Sequence, residues 1–292
     1  MKKALVHEWY EVAAGSEKCV ESFTNIWNDF DHFSLVDFLS DDDRARLLKG
    51  KYAKTSFIQK LPFAKTSFRN YLPLFPFAVE QFDLSSYDVI FSNSHAVAKG
   101  VITKIDQLHV CYCHSPMRYA WDLYHQYIRE SGLLTGLKGR AAQYALHKLR
   151  MWDYSTSNRV DHFIANSGYT AARIKKTYGK DAKVIYPPVD THKFEAVTAK
   201  EDFYVTASRL VPYKKIDLIV EAFTKMPDKK LVVVGDGPDY EKIKRIATAN
   251  IHILGYQDFD SLKSLLSRAK AFVFAAEEDF GIVVIEAMAC GT

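Results

Sequence analysis

No stretch of this 292-residue sequence approaches the ~18 consecutive apolar residues of a transmembrane helix, and the opening MKKALVHEWY holds too short an apolar run for a secretory signal. A cytoplasmic protein is expected, at most peripheral to the inner face of the cytoplasmic membrane. Cysteine is scarce: Cys19, Cys111, Cys113 and Cys290 lack metal-ligand spacing, which excludes a zinc module and a disulfide framework. Cys111 and Cys113, one residue apart on an apparent strand, are expected on opposite faces as separate reduced core thiols. The net charge is only +4, and the 14% of aromatic residues form no stacking platform, so nothing calls for a nucleic-acid partner. One absence is local, because Lys49 to Val79 contains no Asp or Glu but holds Lys49, Lys51, Lys54, Lys60, Lys65 and Arg69 among Phe57, Phe63, Phe68 and Tyr71. A contact of Lys49 to Arg69 with an anionic membrane is one reading of that pattern, and a solvated loop region over a few buried aromatics is the other.

With 48% hydrophobic and 25% charged residues, the chain has the composition and length of two globular domains. Short apolar runs alternate with helical patterns: KALVH near the start, DVIFS from Asp88, HVCYC from His109, HFIA from His162 and KVIY from Lys183. That alternation predicts a doubly wound α/β domain over residues 1–190. The Pro187-Pro188 pair and the polar stretch after it predict an interdomain linker at 191–202. A second series, YVTAS, LVVVG, IHILG and AFVFA, predicts a second α/β domain over 203–292.

Three segments of the second series carry chemistry. After YVTAS, Arg209 and Lys214 stand five apart at the mouth of a helix, where two cations and free helix amides suit a diphosphate. LVVVGDGPDYEKI places Gly235 and Gly237 at a strand end, where glycine permits close backbone approach, with Pro238 expected to open the next helix. In AFVFAAEEDFGIVVIEAMACGT a strand is expected to end near Ala276, Glu278 follows in the turn, Gly281 opens a helix, and Glu286 lies within an apolar helical run. A carboxylate so placed can accept from a ribose diol.

Taken together, NSGYTAARIKKTYG, VIYPPVD, SRLVPYKK, VVVGDGPDYEKI, ILGY and EEDFGIVVIEAMACGT resemble the retaining glycosyltransferases of family 4, including their E-x7-E element as Glu278 and Glu286. YCHSPMRYAWDLY is most similar to mannosyltransferases of bacterial surface-polysaccharide (lipopolysaccharide) assembly. The resemblance implies the GT-B fold, two doubly wound Rossmann-like domains facing a cleft. It implies that Arg209 and Lys214 hold the donor diphosphate, Glu286 the ribose, and Glu278 the transferred sugar beside the amides of Phe280, Gly281 and Ile282. Gly235 and Gly255 would line the donor loops, His114 would face the sugar from the first domain, and Ser167 would line the cleft. Gly15 matches the family's glycine loop, although AAGSEK offers one glycine where many relatives have two.

The implied reaction moves a hexose, mannose from GDP-mannose first among the candidates, onto a polysaccharide or lipid-linked glycan without a bound metal. Retention through same-face attack or through a carboxylate nucleophile stays open at this stage. A nucleotide-sugar epimerase of the same fold and an inactive donor-binding fragment are the alternatives. Because the second series offers only four strands, the resemblance also implies a second domain shortened at its carboxyl end, with little transfer activity in the chain by itself.

Overall fold

Runs such as ALV, VIF and LVVV bury β-branched and aromatic side chains on both sides of a pleated strand, so each is stable only inside a sheet covered on both faces. The computed structural model, which describes residues 1–12 and 15–292, shows two such sheets in two units, Met1–Pro188 and Val189–Thr292. In the first unit β1 (Lys3–His7), β2 (Asp31–Ser34), β3 (Lys54–Thr55), β4 (Val89–Ser94), β5 (Leu108–Cys113), β6 (His162–Ala165) and β7 (Ala182–Val184) pair in the order β3-β2-β1-β4-β5-β6-β7, all parallel. Between them run α1 (Gly15–Ile26), α2 (Asp41–Leu48), α3 (Ala64–Ser67), α4 (Phe75–Glu80), α5 (Tyr124–Glu130), α6 (Gly136–Thr156) and α7 (Gly168–Tyr178).

Strand alternation sorts the core. Ala4 and Val6 pack with Val79 of α4 and with Leu146 and Leu149 of α6, whereas Leu5 packs on the other face with Cys19 and Val20 of α1 and Leu47 of α2. The second unit repeats the scheme with β8 (Glu201–Ala207), β9 (Leu231–Val234), β10 (Ile251–Gly255) and β11 (Ala269–Phe272) in the parallel order β10-β9-β8-β11. Its helices are α8 (Ile216–Thr224), α9 (Tyr240–Ile246), α10 (Phe259–Arg268) and α11 (Ile282–Ala289). Val205 faces α10 and α11, and Val233 faces α8 and α9. In both sheets the first strand is flanked by the second on one side and the fourth on the other, so the order reverses beside β1 and beside β8. Open α/β sheets bind ligands at the carboxyl ends of the strands at such a reversal.

Several expectations need correction. Residues 191–202 are built into the second unit rather than strung out as a linker. Phe194 is buried against Phe259 of α10, Val197 donates its N–H to the Cys290 carbonyl, and Lys200 donates from Nζ to the carbonyls of Ser267 and Cys290 and to Thr292 Oγ1. β8 therefore starts at Glu201, before the run that signalled it. Cys111 and Cys113 share one face, packed together with Phe163 and Ile174, because residues two apart on a strand point the same way. All four cysteines are free and buried. β2 and β3 escaped notice because DHFS and KT are short and polar. β11 ends at Phe272, four residues before the expected position, and Pro238 lies in the turn before α9 rather than at its first residue.

Candidate functional site

At the reversal of the second sheet, the segment after β8 and the segment after β11 meet. The chain leaves β8 through Ser208 and Arg209, and Leu210 donates its N–H to the Asp236 carbonyl in the loop after β9. Gly235 makes this approach feasible. Its φ is +131°, and a Cβ built there would lie 1.8 Å from the Ser208 carbonyl oxygen, so any side chain would push the two loops apart. Gly235→Ala is expected to cost at least about 1–3 kcal/mol from backbone strain alone, read as a lower melting temperature. An unchanged melting temperature would show that the loops do not need this contact. The Gly235 N–H is bonded to the Gly255 carbonyl, which ties the loop to the end of β10.

A 3-10 turn at Pro212–Lys214 then carries Lys214 inward, and Lys215 takes the left-handed conformation before α8. Lys214 Nζ forms an ion pair with Glu278 Oε1, both side chains being mostly buried at 17% and 19% exposure. Arg209, on the same segment after β8, is exposed. Beyond Glu278, Gly281 stands at φ +83° and starts α11, which carries Ile282 at its first position and the half-buried Glu286 one turn on. Phe280 is half-buried in the same connection. Residues from four separate segments thus converge on one end of one sheet.

At the reversal of the first sheet lies a buried polar cluster. Glu8, just past β1, is fully buried and accepts from Ser94 Oγ (2.9 Å) and from the backbone N–H groups of His95, Ala96, Val97 and Ala98 (2.7–3.0 Å). Burial alone would raise its pKa, but His95 and these amides hold it below the ordinary carboxylate value. Beside it Asn93, at the end of β4, donates from Nδ2 to the Ser16 carbonyl (3.0 Å) and to His7 Nδ1 (3.1 Å). Because Ser16 offers only an acceptor there, the amide orientation is settled, and Asn93 Oδ1 accepts from His114 Nε2 at 2.8 Å. His114 is therefore the Nε2–H tautomer, with Nδ1 an acceptor. Burial, and then the neighbouring His95 and His7, push its pKa down to about 3. His7 donates from Nε2 to Glu17 Oε1 (3.2 Å); burial opposes ionisation of Glu17, yet His7 and Ser16 bring its pKa down to about 2.

The cluster links α1, β1, β4 and β5, and only His114 of its members was picked out by sequence reasoning. Asn93, His7 and Glu17 carried one signal, polar residues at the ends of apolar strands or in a first helical turn. Ser167 serves the fold directly, since its hydroxyl caps α7 by accepting from the Thr170 N–H at 3.0 Å. Gly15 is the first residue of α1, and the Ala13-Ala14 part of the expected glycine loop lies outside the described residues. Among the described residues no group of three or more His, Cys, Asp or Glu could hold a metal ion. Asp31 accepts from Tyr87 at 2.7 Å, Asp41 and Asp43 open α2, and Asp258 caps α10.

Two parallel, doubly wound sheets with polar and charged groups gathered where the strand order reverses define an α/β architecture of the GT-B type. Residues 34–193 match the model of Glycosyltransferase Family 4, and residues 189–292 match that of Glycosyl transferases group 1. The chain belongs to glycosyltransferase family 4. It is 31% identical over 153 residues to an N-acetyl-alpha-D-glucosaminyl L-malate synthase of Bacillus anthracis, covering 45% of this chain and 38% of the relative. A GDP-mannose-dependent monoacylated alpha-(1-6)-phosphatidylinositol monomannoside mannosyltransferase of Corynebacterium glutamicum is 29% identical over 163 residues, covering 45% and 43%. The matched stretches span well under half the length of these curated relatives. Among solved structures, Anabaena HepE in complex with UDP and glucose aligns with a TM-score of 0.66 at 18% identity, over all of this chain and 79% of that one. The sucrose-phosphate synthase of Thermosynechococcus elongatus aligns at 0.64 and 17%, over 99% and 79%. These likenesses show the fold.

Proposed function

We propose that this chain is the catalytic body of a retaining, metal-independent glycosyltransferase that moves a hexose from a nucleotide sugar, GDP-mannose first among the candidates, onto a polysaccharide or lipid-linked glycan. The observation that carries the reading is the Lys214–Glu278 pair at the reversal of the second sheet, on the segment that also carries Arg209. Lys214 and Arg209 hold the diphosphate and stabilise it as a leaving group, which supplies by electrostatics what a cation otherwise would. The diphosphate displaces Glu278 from Lys214, and the freed carboxylate accepts from hydroxyls of the transferred sugar. Glu286 accepts from the ribose. In the first unit, neutral His114 presents Nδ1 as an acceptor while Asn93 holds its other nitrogen.

Support for mannose comes from YCHSPMRYAWDLY and from the mannosyltransferase among the relatives, while the glucosaminyl relative makes N-acetylglucosamine the competing sugar. Calorimetry of this chain with GDP-mannose, UDP-glucose and UDP-N-acetylglucosamine decides between them. Tighter binding of either UDP sugar would overturn the assignment of the base and sugar. Lys214→Ala is expected to weaken GDP binding by about 1.5–3 kcal/mol, the value of a hydrogen bond to a charged group. Equal affinity for GDP in the variant would remove Lys214 from the site.

A further inference from the structure

The strand ends of the first sheet carry hydrogen-bonding groups that the fold leaves unused. Ser94 of β4 stands beside Cys113 of β5, and Cys113 beside Ala165 of β6. The next residue on each strand is polar, so His95, His114 and Asn166 follow in one row across three neighbouring strands. The pairing continues into that row, because His114 donates its N–H to the Ser94 carbonyl at 2.8 Å. The ring centres of His95 and His114 are 6.3 Å apart. The row lies at the carboxyl ends of the strands next to the reversal, where open α/β sheets take their ligands.

Each member is held in place yet keeps hydrogen-bonding capacity. Glu8 accepts from the His95 N–H at 2.9 Å, and the His95 ring meets Trp9 edge-on with centres 4.7 Å apart. Burial, opposed by Glu8, holds the His95 pKa below its ordinary value, so near neutral pH the ring has one donor and one acceptor nitrogen. Among the described residues neither nitrogen has a hydrogen-bond partner. His114 uses Nε2 on Asn93 and keeps Nδ1 as an acceptor. Asn166 is 5% exposed, and its Oδ1 is enclosed without a partner. No bond fixes the amide, so either of its polar atoms can turn to a ligand. A polar group this enclosed is rarely left unpaired. Beside two half-buried imidazoles with capacity to spare, it points to a ligand that completes all three.

The spacing selects that ligand. A hydroxyl oxygen bonded to a ring nitrogen lies about 4 Å from the ring centre, so one hydroxyl reaches both His95 and His114. It donates to His114 Nδ1 and accepts from the His95 N–H, whereas a carboxylate or phosphate oxygen has no proton to give His114. Neighbouring strands are about 4.8 Å apart, a gap that a second hydroxyl on the same hexose ring spans to Asn166.

We propose that His95, His114 and Asn166 form a hexose subsite, with His95 and Asn166 as substrate-binding residues alongside His114. The assignment rests on the glycosyltransferase reading above for the role of His114. In long-range 1H–15N spectra of the histidine rings, a hexose is expected to shift His95 and His114 together, and glycerol at the same concentration to shift neither. A response to methyl α-mannopyranoside or methyl α-glucopyranoside upholds the subsite as one for an acceptor sugar. A response only to GDP-mannose or UDP-glucose, absent with GDP and UDP, upholds it as one for the donor's sugar. His95→Phe and Asn166→Leu keep the bulk and remove the polar groups, and each is expected to weaken the responsive ligand roughly fivefold while leaving free-nucleotide affinity unchanged. Their melting temperatures are expected to equal that of the wild type or exceed it, since neither side chain has a hydrogen-bond partner in the fold to lose. Melting temperatures lowered by several degrees in both variants would assign these groups to the fold and overturn the subsite, as would unchanged affinity for the responsive ligand in both. Equal shifts with glycerol overturn it too. Nucleotide binding without any ring response to sugar overturns the subsite and leaves the glycosyltransferase reading standing.

Discussion

Asp153→Ala is expected to destabilise the first unit by about 3–5 kcal/mol, enough to leave it largely unfolded at 37 °C if its stability lies in the ordinary 5–15 kcal/mol range. Asp153 is completely buried on α6 and joins four elements of that unit. Its Oδ1 accepts from Lys99 Nζ at 2.5 Å, and its Oδ2 accepts from Trp121 Nε1 at 2.7 Å and Tyr178 OH at 2.8 Å. Lys99 is itself 1% exposed, and its remaining acceptors are the Asp153 carbonyl and Thr156 Oγ1. Removing the carboxylate strands an ammonium in the core and leaves two further donors without their acceptor. The loss should greatly exceed what the pair contributes over an apolar substitute, since burying both charges carried its own desolvation cost. The double variant Lys99→Met, Asp153→Leu is therefore expected to be more stable than Asp153→Ala, though below wild type because Trp121 and Tyr178 still lack a partner. Urea unfolding of the three proteins checks this. An Asp153→Ala loss under 1 kcal/mol would mean that the site rearranges or admits water.

Acid should unfold the first unit well before its carboxylates protonate. Burial pushes the pKa of His32 down to about 4, and Lys51 adds to it. Burial likewise brings His109 down to about 4, partly offset by its bond to the Arg159 carbonyl, and His114 down to about 3. An unfolded histidine titrates near 6.5. Each folded pKa is depressed, so these groups contribute stability that is fully present above pH 6.5 and is lost as pH falls toward 3–4, where the unfolded chain binds protons that the native state refuses. Three groups at about 1.4 kcal/mol per pH unit each amount to roughly 6 kcal/mol by pH 5. Glu17, held near 2, adds a loss of the same sign below about pH 4.5. Thermal melts from pH 7.5 to 4.5 should show a steep fall beginning below 6.5. A flat melting temperature down to pH 5 would show that these rings are protonated in the native state. His109→Gln should flatten the slope by about a third. The ring of His109 has a fixed tautomer, donating from Nδ1 to the Arg159 carbonyl and accepting on Nε2 from Ser92.

The strand-bearing runs were legible because each is a short apolar stretch bounded by turn residues, and all four runs of the second unit fall within or beside an observed strand. DHFS and KT were not legible. DHFS is buried by β1 beside it and by Tyr10 and Tyr87, which lie far enough along the chain that no local pattern records them, and KT is an edge strand defined only by its pairing with β2. The polar stretch after Pro188 read as a linker because its residues are hydrophilic. Lys200 nevertheless finds three acceptors, at Ser267, Cys290 and Thr292, between 67 and 92 residues away.

From the sequence alone followed the two α/β units, their parallel sheets, and the residue types suited to a diphosphate and a sugar, because these depend on periodicity, charge and glycine placement within a few residues. Only the tertiary structure decided which of those residues act together. Lys214 and Glu278 are 64 residues apart and form a pair because β8 and β11 are neighbours in the sheet. Asn93 sets the tautomer of His114 because β4 and β5 run side by side. Val79 of α4 and Leu149 of α6, 70 residues apart, share one core because both helices pack on the same face of the first sheet. Pairings of this kind depend on strand order and helix packing, which no local window of sequence contains.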